Sequence, residues 1–286
     1  MAEAPGHRLG QIIGHALEIA LEPLLRAFAE EHELYLDKQG TRPARPGRKV
    51  TWVDENGNSH DLDFVLERGG SADKIGIPVA FIESAWRRYT KHSRNKAQEI
   101  QGAVEPLIRK WASVRPLGGA IVGGQWTRGA LDQLRSLGFA IAYIPYEEVV
   151  RAFMVVGMTV ATTESTTDGD LADEVRKFEA LAPSDLARLG EALRQCAPEQ
   201  FGAFMNQLRL AIVRKVERVV VLALHGSPQE CGTVREAIDS IRSYTITQVA
   251  LPFTKWEISI GFVNGDRIEA AFRSADDAIN CLGTFA

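Results

Sequence analysis

The 286-residue sequence predicts an α/β protein: a mixed central sheet with flanking helices, followed by a helical and small α+β C-terminal domain. Three observations carry that prediction. Short apolar or alternating runs interleave with amphipathic helices between residues 10 and 144, an order that layers helices on both faces of one sheet. A stretch at 159–170, dominated by Thr, Asp, Gly and Ser, holds little that could be buried and reads as a linker. After three further helices the chain ends in the order βαββα. The predicted division is a first domain over 1–158, the linker over 159–170 and a C-terminal module over 171–286.

Taken in order, residues 10–33 place Ile13, Leu17, Leu21, Leu24 and Phe28 at steps of three and four, which is a helix. Gly10, Gly14, Glu18 and Glu22 form a second stripe at four-residue steps. Pro23 should kink or restart this helix, because its ring meets the carbonyl four residues back. The Pro-, Gly- and Arg-rich stretch 41–48 is a loop. Residues 49–53 and 61–66 flank Asp54-Glu-Asn-Gly57, and Asn-Gly is a strong hairpin signal, so the two runs should pair antiparallel. The uniformly apolar run 78–82 is a central strand. Ser93 is the expected N-cap of a helix with its apolar face on Ile100, Val104, Leu107 and Trp111. Strands at 119–122 and 139–144, with a helix over 129–137 between them, complete the first domain.

Helices follow at 171–181, 184–195 and 199–214, started by Asp170, Ser184 and Pro198. Then come a strand at 218–224, a helix at 233–244, a hairpin turning at Asn264-Gly265 and a closing helix from Ser274. The hairpin strand over 256–263 alternates apolar with small or polar residues and offers an edge through which two copies could form a homodimer.

Composition narrows the function. The three cysteines, Cys196, Cys231 and Cys281, are odd in number and widely spaced, which supports neither a disulfide framework nor a thiolate zinc site. A reducing cytoplasm is the expected location, and no apolar run approaches a membrane span. With a net charge of −4, any contact with nucleic acid must come from local patches. Gly118 to Gly124 lacks both the spacing and the Lys of a nucleotide loop, so it reads as a strand between tight turns. His225 has no second His at ligand spacing, and there is no Gly-x-Ser-x-Gly elbow.

The chemistry concentrates between residues 61 and 99. Asp63 opens one strand-like run, Glu83 ends the next, and a helix follows with Lys96 and Glu99 in its first turn. Carboxylates on neighbouring strands can hold a hard divalent cation such as Mg²⁺ through oxygen. Such an ion activates water and steadies the charge of a phosphodiester under attack. Between Glu83 and the helix, Trp86, Arg87, Arg88, Tyr89, Lys91 and Arg94 interleave cations with aromatics, a composition that serves phosphates and bases or a solvated connection. Arg45 and Arg48, with Arg42 and Lys49, form a second cationic loop, Pro-stiffened, that suits contact with a DNA groove or a plain surface loop.

Asp63-Phe-Val-Leu, then Ile-Glu83-Ser-Ala85, then a helix resembles the PD-(D/E)xK nuclease superfamily, the restriction endonuclease-like fold. The resemblance covers roughly residues 10–150. It implies a Mg²⁺-dependent DNA endonuclease of a restriction or phage-defence type, Mn²⁺ substituting, with double-stranded DNA as partner. Asp63 and Glu83 would be metal ligands, joined by Glu18 as the helix acid. Ala85 departs from the family, which has a lysine there. Either Lys96 replaces that lysine, or the site lacks one and Glu99 or Gln98 completes the metal shell. Asp61 is an alternative to Asp63, and a catalytically inactive nuclease fold that only binds nucleic acid is the alternative to an enzyme. An interaction protein working through residues 171–286 is a third reading.

Overall fold

The computed structural model describes residues 4–163, 165–213, 216–223, 228–244, 253–263, 265 and 267–286. Two compact units emerge, Met1–Trp111 with Arg115–Arg209, and Ala112–Val114 with Leu210–Ala286. Both are α/β, with nine α-helices among the described residues.

The strands of the first unit are β1 (Leu34–Lys38), β2 (Val50–Val53), β3 (Ser59–Leu62), β4 (Phe64–Arg68), β5 (Ile77–Arg87), β6 (Leu117–Gly124) and β7 (Ala140–Pro145). Five of them form one sheet in the order β1-β4-β5-β6-β7. Its first two pairings are antiparallel and its last two parallel, so the sheet is mixed as predicted. β2 and β3 form a separate antiparallel ribbon turning at Asn56-Gly57, where Gly57 takes φ 86°. That positive φ is what the Asn-Gly signal anticipates.

Two strand boundaries differ from the sequence reading, and both bear on the site. The run 61–66 is not one strand: the chain leaves the ribbon at Leu62, bends at Asp63 and enters the main sheet at Phe64. The apolar strand does not stop at Ile82 but continues as β5 through Arg87, so Glu83, Ser84, Trp86 and Arg87 all lie within it. β1 was not anticipated, because its acid and lysine mask a five-residue strand.

Helix α1 (Pro5–Glu31) runs through Pro23 without interruption. Pro23 leaves the Ile19 carbonyl without its helical donor. Gly190 closes on that point: a Cβ there would lie 3.1 Å from Ile19 O, so any side chain would crowd the approach. Arg194 Nη1 donates to the next carbonyl, Ala20 O, at 2.9 Å. Packing therefore holds together a helix that propensity alone would break. α2 (Ser93–Lys110) is preceded by a 3₁₀ turn at Thr90–His92. Ser93 is not its cap but a buried first-turn residue: its Oγ donates to Thr90 O at 2.7 Å and accepts from the Thr127 N–H at 3.2 Å. Thr127 in turn caps α3 (Arg128–Ser136). The unanticipated α4 (Tyr146–Met154) carries Glu147 and Glu148 in its first turn and Arg151 in its last, the polarity that suits a helix dipole.

α5 (Asp168–Glu179), α6 (Pro183–Cys196) and α7 (Pro198–Ile212) match the three expected helices, α5 starting in a Thr167/Asp170 capping box. Composition placed these helices in the C-terminal module, yet the contact division falls at 209/210. The reason is α1, whose buried residues include Leu9, Ile12, Ala16, Leu17 and Ala20. An apolar stripe that broad needs cover beyond the sheet, and α5 and α6 pack on it.

The second unit holds β8 (Val216–Ala223), β9 (Gln229–Cys231), α8 (Val234–Ser243), β10 (Trp256–Phe262), β11 (Arg267–Phe272) and α9 (Ala275–Gly283). Its antiparallel sheet has the order β11-β10-β8-β9. β10 is thus an interior strand, and the edge it was expected to offer a partner is already paired on both sides. His225 and Asn264 lie outside the described residues. No helix among the described residues is long and apolar enough to cross a membrane.

Candidate active site

The register that pairs Phe64 with Ile82 sets Asp63 opposite Glu83 at the next step. Like charges directly opposite each other on neighbouring strands repel. The bend at Asp63 turns its carboxylate onto Ser84: Oδ2 accepts from the Ser84 N–H at 2.6 Å and from Ser84 Oγ at 2.8 Å. Ser84 faces α1, where its Oγ lies 3.1 Å from Glu18 Oε1, and His15 Nδ1 lies 3.3 Å from Glu18 Oε2. One hydroxyl proton cannot serve two carboxylates together, so the Glu18–Ser84–Asp63 bridge is complete only when one carboxyl is protonated.

Glu83 points to the other side of β5. Its neighbours at two-residue spacing, Phe81 and Ala85, share an apolar cluster with Ala97, Ile100 and Val104 of α2. Glu83 Oε1 is buried with no hydrogen-bond partner. That burial, followed by the charge of Asp63, pushes the Glu83 carboxyl up to about 8; Glu18 adds to the rise and Lys96 opposes it. Asp63 is raised as well, by burial first and then by Glu18, against the Ser84 hydrogen bonds and Lys96. The hydrogen bond to Glu18 raises His15 above its ordinary value.

Lys96 therefore stands where both acids feel its charge, with its side chain 22% exposed. Glu99 does not join the carboxylates. It is 58% exposed and lies on the cations instead, 3.2 Å from Lys96 Nζ and 3.6 Å from Arg87 Nη2. Asp61 is also turned away, accepting from Lys49 Nζ and Thr51 Oγ1, each at 2.6 Å. Gln98 is exposed.

Does this donor set suit a metal ion? Among the described residues no three His, Cys, Asp or Glu groups converge as a ready-made cage. Mg²⁺ does not need one, since it is commonly held by one or two carboxylates and keeps several waters. Asp63 and Glu83 offer the donor chemistry for it: their donors are hard oxygens, Glu83 Oε1 has no partner, and their mutual repulsion is what a divalent cation would offset. Glu18, tied to Ser84 and His15, supports Asp63 from α1.

Beside the carboxylates lies a cavity of about 560 Å³, to which Ser84 and Lys96 both contribute. Trp86, Arg87, Arg88 and Tyr89 line it too, so most of the predicted basic and aromatic segment does gather at one place. Trp86 is not free to stack on a base with both faces, because it already stacks on Tyr146 with centroids 5.8 Å apart. Arg88 and Lys91 sit 4.9 and 5.8 Å from the Tyr89 ring centroid, and Arg94 is exposed on α2. The second cationic loop behaves differently. Arg45 Nε donates to Asp37 at 2.9 Å, and Arg42 forms a buried pair of hydrogen bonds with Glu67 at 2.6 and 2.9 Å. These guanidinium groups anchor the loop to β1 and β4 and are spent there; Arg48 remains exposed.

Ser84, His15 and Tyr146 were absent from the sequence-based site. Ser84 adjoins Glu83, and His15 precedes Glu18 by one helical step, so adjacency to a candidate acid was the available signal. Tyr146 gave none. Compared with models of protein families, with curated proteins and with solved structures, the chain matches none.

Proposed function

We propose that the chain is a metal-dependent deoxyribonuclease, with Asp63 and Glu83 as ligands for Mg²⁺ and Lys96 as the site's cation, on a restriction endonuclease-like fold. The observation that carries this reading is the pairing of two largely buried carboxylates, both raised in proton affinity, on adjoining strand segments with a half-buried lysine. Perturbed titratable groups of this kind cluster at functional sites. When bound, Mg²⁺ would supply an activated water and a Lewis acid for the scissile phosphate. The protein's part is to orient Asp63 through Ser84, to hold Lys96 by the developing negative charge, and to bind phosphates with Arg87 and Arg88. A restriction or phage-defence role is the setting in which such an activity on double-stranded DNA would serve. Cutting both strands with one site per chain calls for two copies related by a twofold axis, and β9 and β11 are the edge strands of the second unit.

Ala85 favours a second reading, a nuclease fold that binds nucleic acid without cutting it. Incubation with plasmid and phage DNA, with and without Mg²⁺, separates the two. Metal-dependent cleavage that disappears in both Asp63→Ala and Glu83→Ala, with folding and DNA affinity retained, supports the enzyme. Full activity in either variant removes the assignment.

A further inference from the structure

We propose that the cavity beside Ser84 is a pocket for one unstacked nucleotide, so that the chain engages nucleic acid where a strand is unpaired. This rests on the nucleic-acid reading above and adds the substrate class.

Size is the first argument. About 560 Å³ falls within the range of small-molecule pockets. It has room for a base with its sugar. The space is also real on the α1 side, where Gly6, Gly10 and Gly14 line the wall and a Cβ at Gly14 would meet nothing within 4 Å.

The wall chemistry grades from apolar to cationic. Leu9, Ile13, Val160 and Leu171 offer the flat apolar surface that suits a base's faces, and the Trp86–Tyr146 stack forms a rigid side. Tyr89, 48% exposed, stands at the rim with Arg88 and Lys91 against its ring, the aromatic-and-cation arrangement on which single-stranded bases stack. Thr162 contributes a hydroxyl to the lining that is buried and has no hydrogen-bond partner. A buried hydroxyl in that state is costly unless something arrives to bond it, and a base edge carries the donors and acceptors to do so. Arg87, Arg88 and Lys96 line the same cavity as Ser84, which accounts for the phosphate. A simple anion would need the cations but not the apolar floor. A nucleotide whose base fills the cavity would set its phosphate next to Asp63, because Ser84 belongs to the cavity and bonds Asp63.

The test is binding of a fluorescently labelled 12-nucleotide single strand, and of the matching duplex, to full-length Asp63→Ala protein in EDTA, followed by anisotropy. Cleavage is then absent by design. The single strand should bind at least tenfold more tightly than the duplex. Gly14→Leu, which projects into the cavity from a helix position where an added Cβ meets nothing within 4 Å, should weaken single-strand binding about tenfold while leaving duplex binding and the melting curve unchanged. Tyr89→Ala, at an exposed rim position, should also weaken single-strand binding about tenfold. Equal affinity for both substrates, or single-strand affinity untouched by Gly14→Leu and Tyr89→Ala, overturns the pocket and leaves the nuclease reading standing. Binding of neither nucleic acid overturns both.

Discussion

Glu83 gives the sharpest quantitative expectation, because its position costs stability whenever it is ionised and nothing divalent is near. In the folded chain it keeps its proton up to about 8, against 4.5 for an exposed glutamate. A folded value above the unfolded one means that the stabilising effect is complete below pH 4.5 and is lost as pH climbs through 8. At 1.36 kcal/mol per unit, the loss across that window is about 5 kcal/mol. Asp63 shifts in the same direction and adds to it. For a domain of roughly 200 residues this corresponds to a fall in Tm of roughly 10–20 °C. Glu83→Gln keeps the shape and removes the charge. Thermal unfolding in EDTA, followed by circular dichroism from pH 5 to pH 9, should show the variant level with the wild type at the acid end and higher by about 10 °C at the alkaline end. Millimolar Mg²⁺ should restore the wild type at pH 9 and leave Glu83→Gln unmoved. Parallel Tm curves for the two proteins across the whole range would refute the reasoning, since Glu83 would then be either solvated or otherwise paired.

Two further outcomes follow from the same geometry. Lys96→Ala should cut the single-turnover cleavage rate at saturating DNA by about 10², as loss of one positioned charge-stabilising group does, whereas Lys91→Ala should weaken binding and do so more at low salt; a normal rate in Lys96→Ala means that the lysine is no part of the machinery. Arg42→Ala should destabilise the first unit by about 3–5 kcal/mol in urea unfolding, because it strands the buried Glu67 without its cation and leaves the buried Asp37 with Arg45 alone; a change below about 1 kcal/mol would show that water or a rearranged Arg45 replaces it.

What the sequence revealed, and what it hid, divides along local and long-range physics. Helices were legible where apolar residues recur at helical spacing, as in α1, α2 and α5–α7, and the ribbon was legible from Asn56-Gly57. β1 was hidden because Asp37 reads as a loop residue; it is buried only because Arg42 and Arg45 reach it from further along the chain. The same pairing explains why a Pro- and Arg-rich loop looked like a DNA contact, since composition does not distinguish a solvated guanidinium from one locked on buried carboxylates. Pro23 predicts a kink or restart that the helix does not show, because Gly190 and Arg194 of α6 cover the disturbed turn.

The carboxylates could be found in the sequence because an acid bordering an apolar strand is expensive to place without a purpose. Their arrangement could not, since it depends on the chain bending at Asp63 to escape Glu83 and on α1 bringing Glu18 to Ser84. Ala85 is the instructive case. It packs in the same apolar cluster as Ala97 and Ile100, so a lysine there would have to drive its stem through a filled interface. Lys96 stands on the helix across that interface, one turn before Ile100, and its ammonium comes to the acids from a partly exposed position. Its charge lowers the proton affinity of both Asp63 and Glu83 without being buried itself. A cation at position 96 thus supplies the field that a lysine at 85 would have supplied, at a smaller desolvation cost, and the apolar contact between β5 and α2 is kept intact.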